Sequence, residues 1–200
     1  MEVFFVRHGE TDGNVARRHQ HSETSLNEVG RAQVMALAPE IAALKPTHFI
    51  SSTHLRAIET TRILAAACNL TPATSHAFEE LARPDSLVGQ RYMGVVTLFY
   101  VLRWFFGFKI PDGEGYQQFL SRILEGRRYL QALPNNSRVV VVSHAVFVNI
   151  FIEHLCLDTK MGIGQALRSF FKIFRLRNAS IIHLHFTPGN YICGWTVIKR

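Results

Sequence analysis

Short apolar runs alternate along the chain with longer segments of helical periodicity. Residues 3–6 form a fully apolar run of β-branched and aromatic side chains, which predicts a buried strand. Further strands are expected at 48–51, 74–78 and 138–143. In the tail, the runs 180–186 and 192–198 alternate around the turn Pro188-Gly189-Asn190, and this pattern predicts a hairpin at a sheet edge.

Helical periodicity fills the intervals between these runs. The predicted helices are 26–44, bent or ended near Pro39, and then 55–68, 115–133 and 146–157. Regular alternation of strand and helix is typical of a doubly wound α/β fold. We therefore expect one catalytic domain over 1–200, with a mostly parallel sheet flanked by helices and the C-terminal hairpin at its edge.

Basic side chains follow three of the predicted strands. Arg7 and His8 end the first strand, Arg56 lies on the first turn of the helix after the second, and His144 follows the run 139–142. Ligands of open α/β sheets bind beyond the carboxyl ends of the strands. The sequence therefore predicts that these four side chains converge on one site.

The chemistry of this set suits a phosphoryl group. Guanidinium groups bind phosphoryl oxygens, and a neutral imidazole nitrogen can attack phosphorus. Nearby arginines should keep His8 neutral, while a protonated His144 would help to neutralise the transition state. No metal or other cofactor is expected, because the cationic side chains would do the work of Mg²⁺.

Three motifs resemble those of the histidine phosphatase superfamily. They are RHGET-x-x-N at 7–14, SS-x-x-x-RA-x-ET at 51–60 and SHA at 143–145. The resemblance implies that His8 is the nucleophile that becomes phosphorylated. It further implies that four side chains hold the phosphoryl group: Arg7, Asn14, Arg56 and His144.

The resemblance also implies a proton donor, and Glu80 is the preferred candidate. Glu79 and Asp85 lie in the same segment, and either carboxylate remains an alternative. Arg83-Pro84 stands where the family usually has a Gly-x-Trp-x-Gly stretch. This departure weakens any transfer of substrate identity from the mutase or bisphosphatase branches.

Residues 92–108 are unusually apolar and fall where the family places a variable substrate lid, so we expect a lid or insert around 85–114. Three interpretations remain open: a buried helix of the domain, an apolar wall of the substrate pocket, or a face that rests on a membrane or partner. Phe99 and Trp104 are candidates to face the pocket. The run is too short, and is interrupted by Arg103, for a membrane span.

Composition and charge narrow the class of partner. The formal net charge of +7 fits a phosphate-bearing partner, while the dispersed arginines do not favour nucleic acid.

Cys68, Cys156 and Cys193 are widely spaced, which indicates reduced core thiols and a cytoplasmic protein without a leader segment. His183 and His185 alternate along one strand, but no third metal ligand is in reach. Arg17 and Arg18 are either a second anion contact or a solvated loop.

The expected function is phosphomonoester hydrolysis through a phosphohistidine intermediate. The substrate is a small phosphorylated molecule that can carry an apolar group. A phosphoglycerate mutase-type phosphotransferase ranks lower, because a small polyanion bound at both ends would call for extra basic residues. A non-catalytic phosphate-binding or phosphohistidine-protein regulatory module is the third interpretation.

Overall fold

The structure is a computed structural model that describes residues 1–157, 162, 165, 169, 172–173, 176–189 and 193–199. Its sheet has six strands in the order β3-β2-β4-β1-β5-β6. The strands are β1 (Glu2–Arg7), β2 (His48–Ser51), β3 (Ala73–Thr74), β4 (Arg138–Ser143), β5 (Ile181–Phe186) and β6 (Trp195–Lys199). The first four are parallel, β5 pairs antiparallel with β1, and β6 pairs antiparallel with β5 at the outer edge. The predicted α/β fold with an edge hairpin is confirmed, although 190–192 lie outside the described residues.

Helices cover both faces of the sheet. They are α1 (Asp12–Val15), α2 (Glu28–Ala43), α3 (Leu55–Ala67), α4 (Val95–Phe105), α5 (Tyr116–Gln131) and α6 (Ala145–Glu153). One apolar cluster joins Phe4 and Val6 to α2 and α3, and the other joins Phe5 to α5 and α6. Residues 139–142 of β4 have no exposed surface, as expected for a central parallel strand.

Two predicted elements differ from the observed ones near β3 and α6. The strand expected over 74–78 stops at Thr74, because Ser75 accepts a hydrogen bond from Ala77 N and starts a 3-10 turn at His76–Phe78. The helix expected to reach 157 ends at Glu153, since the ring of His154 bonds to the carbonyl oxygen of Leu157 and turns the chain. Helix α2 continues through Pro39 rather than ending there.

Cys156 and Cys193 form a disulfide with a Cα–Cα distance of 5.4 Å, so the expectation of three reduced thiols is wrong for this pair. The distance lies in the usual range for disulfides. Cys68 is the free cysteine and is half-buried. No helix among the described residues combines the length and apolar character needed to cross a bilayer.

The apolar segment forms α4, and its inner face belongs to the core. Tyr100 and Trp104 are each 8% exposed, and the indole of Trp104 lies 4.8 Å from the ring of Tyr116 on α5. Trp104 therefore faces α5, which corrects its expected orientation toward a pocket. Phe99 is 64% exposed on the opposite side of the helix.

This asymmetry predicts unequal effects on stability. Trp104→Ala should lower the free energy of unfolding by about 3–5 kcal/mol, because a large buried side chain is lost. Phe99→Ala should change it by less than about 0.5 kcal/mol, since its ring is already in water. Urea unfolding followed by circular dichroism would measure both values. Equal losses for the two variants would contradict the assignment of the inner and outer faces.

Candidate active site

The carboxyl ends of β1, β4 and β2 meet at one edge of the sheet. In the register of these strands, Arg7 pairs with Ser143, and Ser51 pairs with Val142. The hydrogen-bond pattern continues beyond the strands, because His8 N donates to Ser143 O at 3.1 Å and Ser52 N donates to Val142 O at 3.0 Å. This register brings the residues that follow the three strands side by side.

Three imidazoles occupy the centre of this edge. The ring centroids of His8 and His144 are 5.1 Å apart, and those of His54 and His144 are 4.8 Å apart. Arg56 is on the first turn of α3, where its Nη2 donates to His54 Nδ1 at 2.9 Å. His8, Arg56 and His144 were predicted to converge, whereas His54 was not among the predicted site residues.

One hydrogen bond determines which nitrogen of His8 carries the proton. His8 Nδ1 lies 2.7 Å from the carbonyl oxygen of Gly9. A carbonyl oxygen can only accept, so Nδ1 is the protonated nitrogen of the neutral ring. The lone pair is therefore on Nε2, the nitrogen available for nucleophilic attack.

Gly9 is required at this point by the close approach of two backbones. A Cβ atom at Gly9 would lie 2.6 Å from Gly30 O of α2 and 2.8 Å from Val34 Cγ2. A Cβ atom at Gly30 would in turn lie 2.1 Å from Glu10 O. The loop after His8 is thus packed directly on α2, which positions the carbonyl that fixes the His8 tautomer.

Burial keeps the central imidazoles neutral. Burial, reinforced by the positive charges of Arg56 and Arg7, holds the pKa of His8 well below its usual value. The pKa of His144 is likewise well below its usual value, again through burial first and then the charge of Arg56. The lowered pKa of His8 supports its expected neutrality, and the lowered pKa of His144 favours a neutral ring there too while no anion is bound. Burial also lowers the pKa of His54 to about 4.

The two arginines leave part of their donor capacity unused. Arg7 donates through Nη1 to Leu176 O, and Arg56 through Nη1 to His21 O at 2.8 Å. Within the described part of the chain, Nε of both arginines and Nδ1 of His144 are buried without a hydrogen-bond partner. The pKa of Arg56 is lowered by burial only to about 10, so it is charged at neutral pH. Unsatisfied cationic donors of this kind fit an anion.

A second asparagine, Asn178, connects Asn14 to the loop that follows β1. The Nδ2 atom of Asn178 donates to His8 O at 3.0 Å, to Gly9 O at 3.2 Å and to Asn14 Oδ1 at 3.0 Å. The Nδ2 atom of Asn14 lies 3.4 Å from the hydroxyl of Tyr92, which precedes α4. Asn14 is therefore placed beside the loop of His8.

The candidate proton donors occupy different surroundings. Glu80 is 9% exposed, and its carboxylate accepts from the backbone N–H groups of Leu81, Val146 and Phe147, so it caps α6 directly after His144. Glu79 instead pairs with His76, 2.7 Å away, whose side chain is 84% exposed. Asp85 begins an exposed 3-10 turn. Of the three, Glu80 is the buried carboxylate next to the imidazole cluster.

Several residues around the site were not predicted. Ser52 and His54 follow β2 just as Arg56 does, so the same strand-end argument could have identified them. The Ser52 hydroxyl lies 2.7 Å from His144 Nε2. Leu176 and Asn178 carry no such signal, because their contacts with Arg7 and His8 span about 170 residues of chain.

Metal ligands do not cluster in the described residues, where no group of three or more His, Cys, Asp or Glu side chains could hold an ion. His183 and His185 both pair with the carboxylate of Glu2 at the opposite end of β1. Arg17 and Arg18 are exposed, and Arg18 forms an isolated β-bridge with Arg91.

Comparison with solved structures finds the same fold in phosphatases. A mycobacterial glucosyl-3-phosphoglycerate phosphatase in complex with VO3 has a TM-score of 0.76 at 21% identity, covering 98% of this chain and 96% of that one. The α-ribazole phosphatase from Shigella flexneri has a TM-score of 0.78 at 18% identity, covering 100% and 96%.

Comparison by sequence identifies curated relatives. Probable phosphoglycerate mutases GpmB of Yersinia pestis and Proteus mirabilis are 30% and 29% identical, covering 98% of this chain and 91% of each relative. The family model of the histidine phosphatase superfamily (branch 1) matches residues 3–197. With that match over almost its whole length, the chain belongs to the histidine phosphatase superfamily.

Proposed function

We propose that this protein hydrolyses phosphomonoesters through a phosphohistidine on His8 Nε2. The observation that carries the proposal is the hydrogen bond from His8 Nδ1 to Gly9 O, which leaves the Nε2 lone pair free in a ring kept neutral by burial and by two arginines. Attack of Nε2 on phosphorus breaks the ester P–O bond and leaves the phosphoryl group on His8. Water then attacks that group and releases inorganic phosphate and the free Nε2.

The unused donors around His8 would hold the phosphoryl oxygens. Arg7 and Arg56 supply positive charge, and His144 and Asn14 supply further hydrogen bonds. Bound phosphate would raise the pKa of His144, because its negative charge favours the imidazolium. In the transition state charge spreads over the equatorial oxygens, and preorganised donors in a dry site stabilise it strongly. In this proposal the cationic side chains make a metal ion unnecessary.

Glu80 is the proposed donor of the proton that the leaving alkoxide needs. Its burial at the start of α6, next to His144, supports this choice over Glu79, whose carboxylate pairs with the exposed His76. After the first step the same carboxylate would accept a proton from the attacking water, so both half-reactions use one group in opposite directions.

Mutase activity is the second candidate, and it is favoured by the names of the curated relatives. A mutase must return the phosphoryl group to a second hydroxyl of the bound sugar acid before water reaches it. The two reactions differ in their products from 3-phosphoglycerate, with 2,3-bisphosphoglycerate supplied to prime a mutase. Release of inorganic phosphate supports the hydrolase, whereas conversion to 2-phosphoglycerate without net release would select the mutase.

Loss of the nucleophile should abolish turnover. His8→Ala should lower kcat for an aryl phosphate by several orders of magnitude, because the attacking Nε2 atom is lost. Rapid acid-free quenching should trap alkali-stable, acid-labile phosphate on the wild-type chain only. The assay should contain excess EDTA, which we expect to have no effect. Phosphate on a serine or cysteine, or a rate abolished by EDTA, would contradict the mechanism.

Loss of the proton donor should depend on the leaving group. Glu80→Gln should slow hydrolysis of an alkyl phosphate by about 10²- to 10⁴-fold, because an alkoxide leaves poorly without a proton. Hydrolysis of p-nitrophenyl phosphate, whose leaving group is stable as an anion, should change far less. Glu79→Gln is the matched control and should affect neither substrate. A uniform loss with both esters would assign Glu80 a purely structural role.

The pH dependence should reflect the lowered pKa of His8. Because the free ring stays neutral below its usual pKa, kcat/KM should persist below pH 6.5, the ordinary histidine value, and fall only as His8 becomes protonated at lower pH. Circular dichroism at each pH separates this loss from unfolding. An acidic limb centred at or above pH 6.5 would show that His8 is not held in its neutral form.

A further inference from the structure

Helix α4 is apolar on both of its long faces. Thr97, Tyr100 and Trp104 turn inward and are at most 8% exposed. The opposite stripe follows the same helical spacing and is 45–70% exposed: Val95, Leu98, Phe99, Leu102 and Phe106. A helix that is apolar all round normally has both faces covered, yet only the inner face of α4 is covered within the described chain.

The exposed stripe continues beyond the helix. Met93 before it is 74% exposed, and Phe108 after it is 60% exposed. With the stripe of α4 they form one apolar surface, which we call the α4 face. Contiguous exposed apolar surfaces of this kind mark interaction sites in folded proteins.

Basic side chains outnumber acidic ones around the α4 face. No acidic residue occurs between 86 and 111, whereas Arg91, Arg103 and Lys109 are all exposed there. Arg91 is bridged to Arg18, so the exposed loop of Arg17 and Arg18 adds two charges at the same end of α4. The rim of the α4 face thus carries five basic side chains against two exposed aspartates, Asp85 and Asp112, which flank this stretch, and its net charge is positive.

We propose that the α4 face docks on the surface of an anionic lipid bilayer. A helix of 11 residues is about 16 Å long, which suits a helix lying in the interfacial plane with its aromatic side chains among the acyl chains. The basic rim would contact the anionic headgroups. A second copy of the chain fits less well, because a two-fold contact through this surface would bring two basic rims together.

A second segment has the same composition. Residues 168–177, RSFFKIFRLR, contain four basic and five apolar residues and no acidic one, so part of the basic charge is clustered in this run. Leu176, near the end of this run, lies beside the candidate site, because its carbonyl oxygen accepts a hydrogen bond from Arg7. Basic and aromatic side chains in alternation are typical of segments that bind anionic lipid surfaces.

The α4 face is also linked to the catalytic site. Thr97, on the inner side of α4, donates to Arg91 O at 2.7 Å and accepts from His19 Nε2 at 3.1 Å, while Tyr92 lies beside Asn14. A groove opens beside the same helix, and it is lined by apolar side chains such as Leu87, Phe99 and Ile110 together with Asp85, Arg103 and Asp112. Docking would therefore bring the site close to phosphomonoesters with hydrocarbon tails, a consequence that rests on the proposed function.

Vesicle binding tests the docking surface without using activity. The chain should sediment with vesicles of phosphatidylcholine and phosphatidylglycerol, much less with phosphatidylcholine alone, and less as salt screens the basic rim. The double variant Phe99→Ser with Phe106→Ser should bind at least about tenfold more weakly, since two aromatic side chains no longer enter the bilayer. Val29→Ser with Met35→Ser, at two exposed apolar positions of α2, is the matched control and should bind like the wild type.

His8→Ala should bind vesicles as well as the wild type, so docking can be judged even if the proposed hydrolysis fails. Circular dichroism should show that all variants remain folded. Two results would overturn the proposal: no difference between anionic and zwitterionic vesicles, or equal binding of the α4 double variant and the α2 control. Self-association abolished by the α4 substitutions, without vesicle binding, would assign the surface to a second copy instead.

Discussion

The parallel register of β1, β4 and β2 is the constraint on which the site depends. These strands end within one residue of each other, so His8, Ser52 and His144 leave the sheet at the same level. A shift of one residue in a strand would turn its side chains to the other face of the sheet. The complete burial of 139–142 opposes such a shift, because a shift of one residue would bring the exposed Arg138 into the buried position of Val139. The packing that fixes the register of β4 therefore also fixes the positions of the site residues at its end.

Burial of charge distinguishes this edge of the sheet from the rest of the protein. Two guanidinium groups and three imidazoles lie together and are largely buried, and burial is the largest cause of the lowered pKa of each. Removing charged and polar donors from water costs free energy unless they find partners. A dianionic phosphoryl group would supply those partners, so the arrangement lowers stability in the free protein and favours anion binding. Ionisable groups with pKa values shifted in this way are common at functional sites.

Local patterns predicted most of what lies on the strands and their ends. The apolar runs located β1, β2 and β4, and the strand-end argument located His8, Arg56 and His144. Long-range contacts were beyond such patterns: Asn178 reaches the His8 loop only because β5 returns beside β1, and Cys156 meets Cys193 only because β6 pairs with β5. The two faces of α4 were indistinguishable by sequence, since both are apolar, and only its packing on α5 separates them.

The Cys156–Cys193 disulfide closes a covalent ring that contains two residues in contact with Arg7 and His8. It joins positions 37 residues apart, and both Leu176 and Asn178 lie inside the ring that it closes. In the chain-entropy model, a ring of this size stabilises the native state by about 4 kcal/mol relative to the open chain. A preparation kept in a thiol reductant and one kept in air are therefore different molecules. Only in the oxidised preparation do the residues that contact Arg7 and His8 lie within a closed covalent ring.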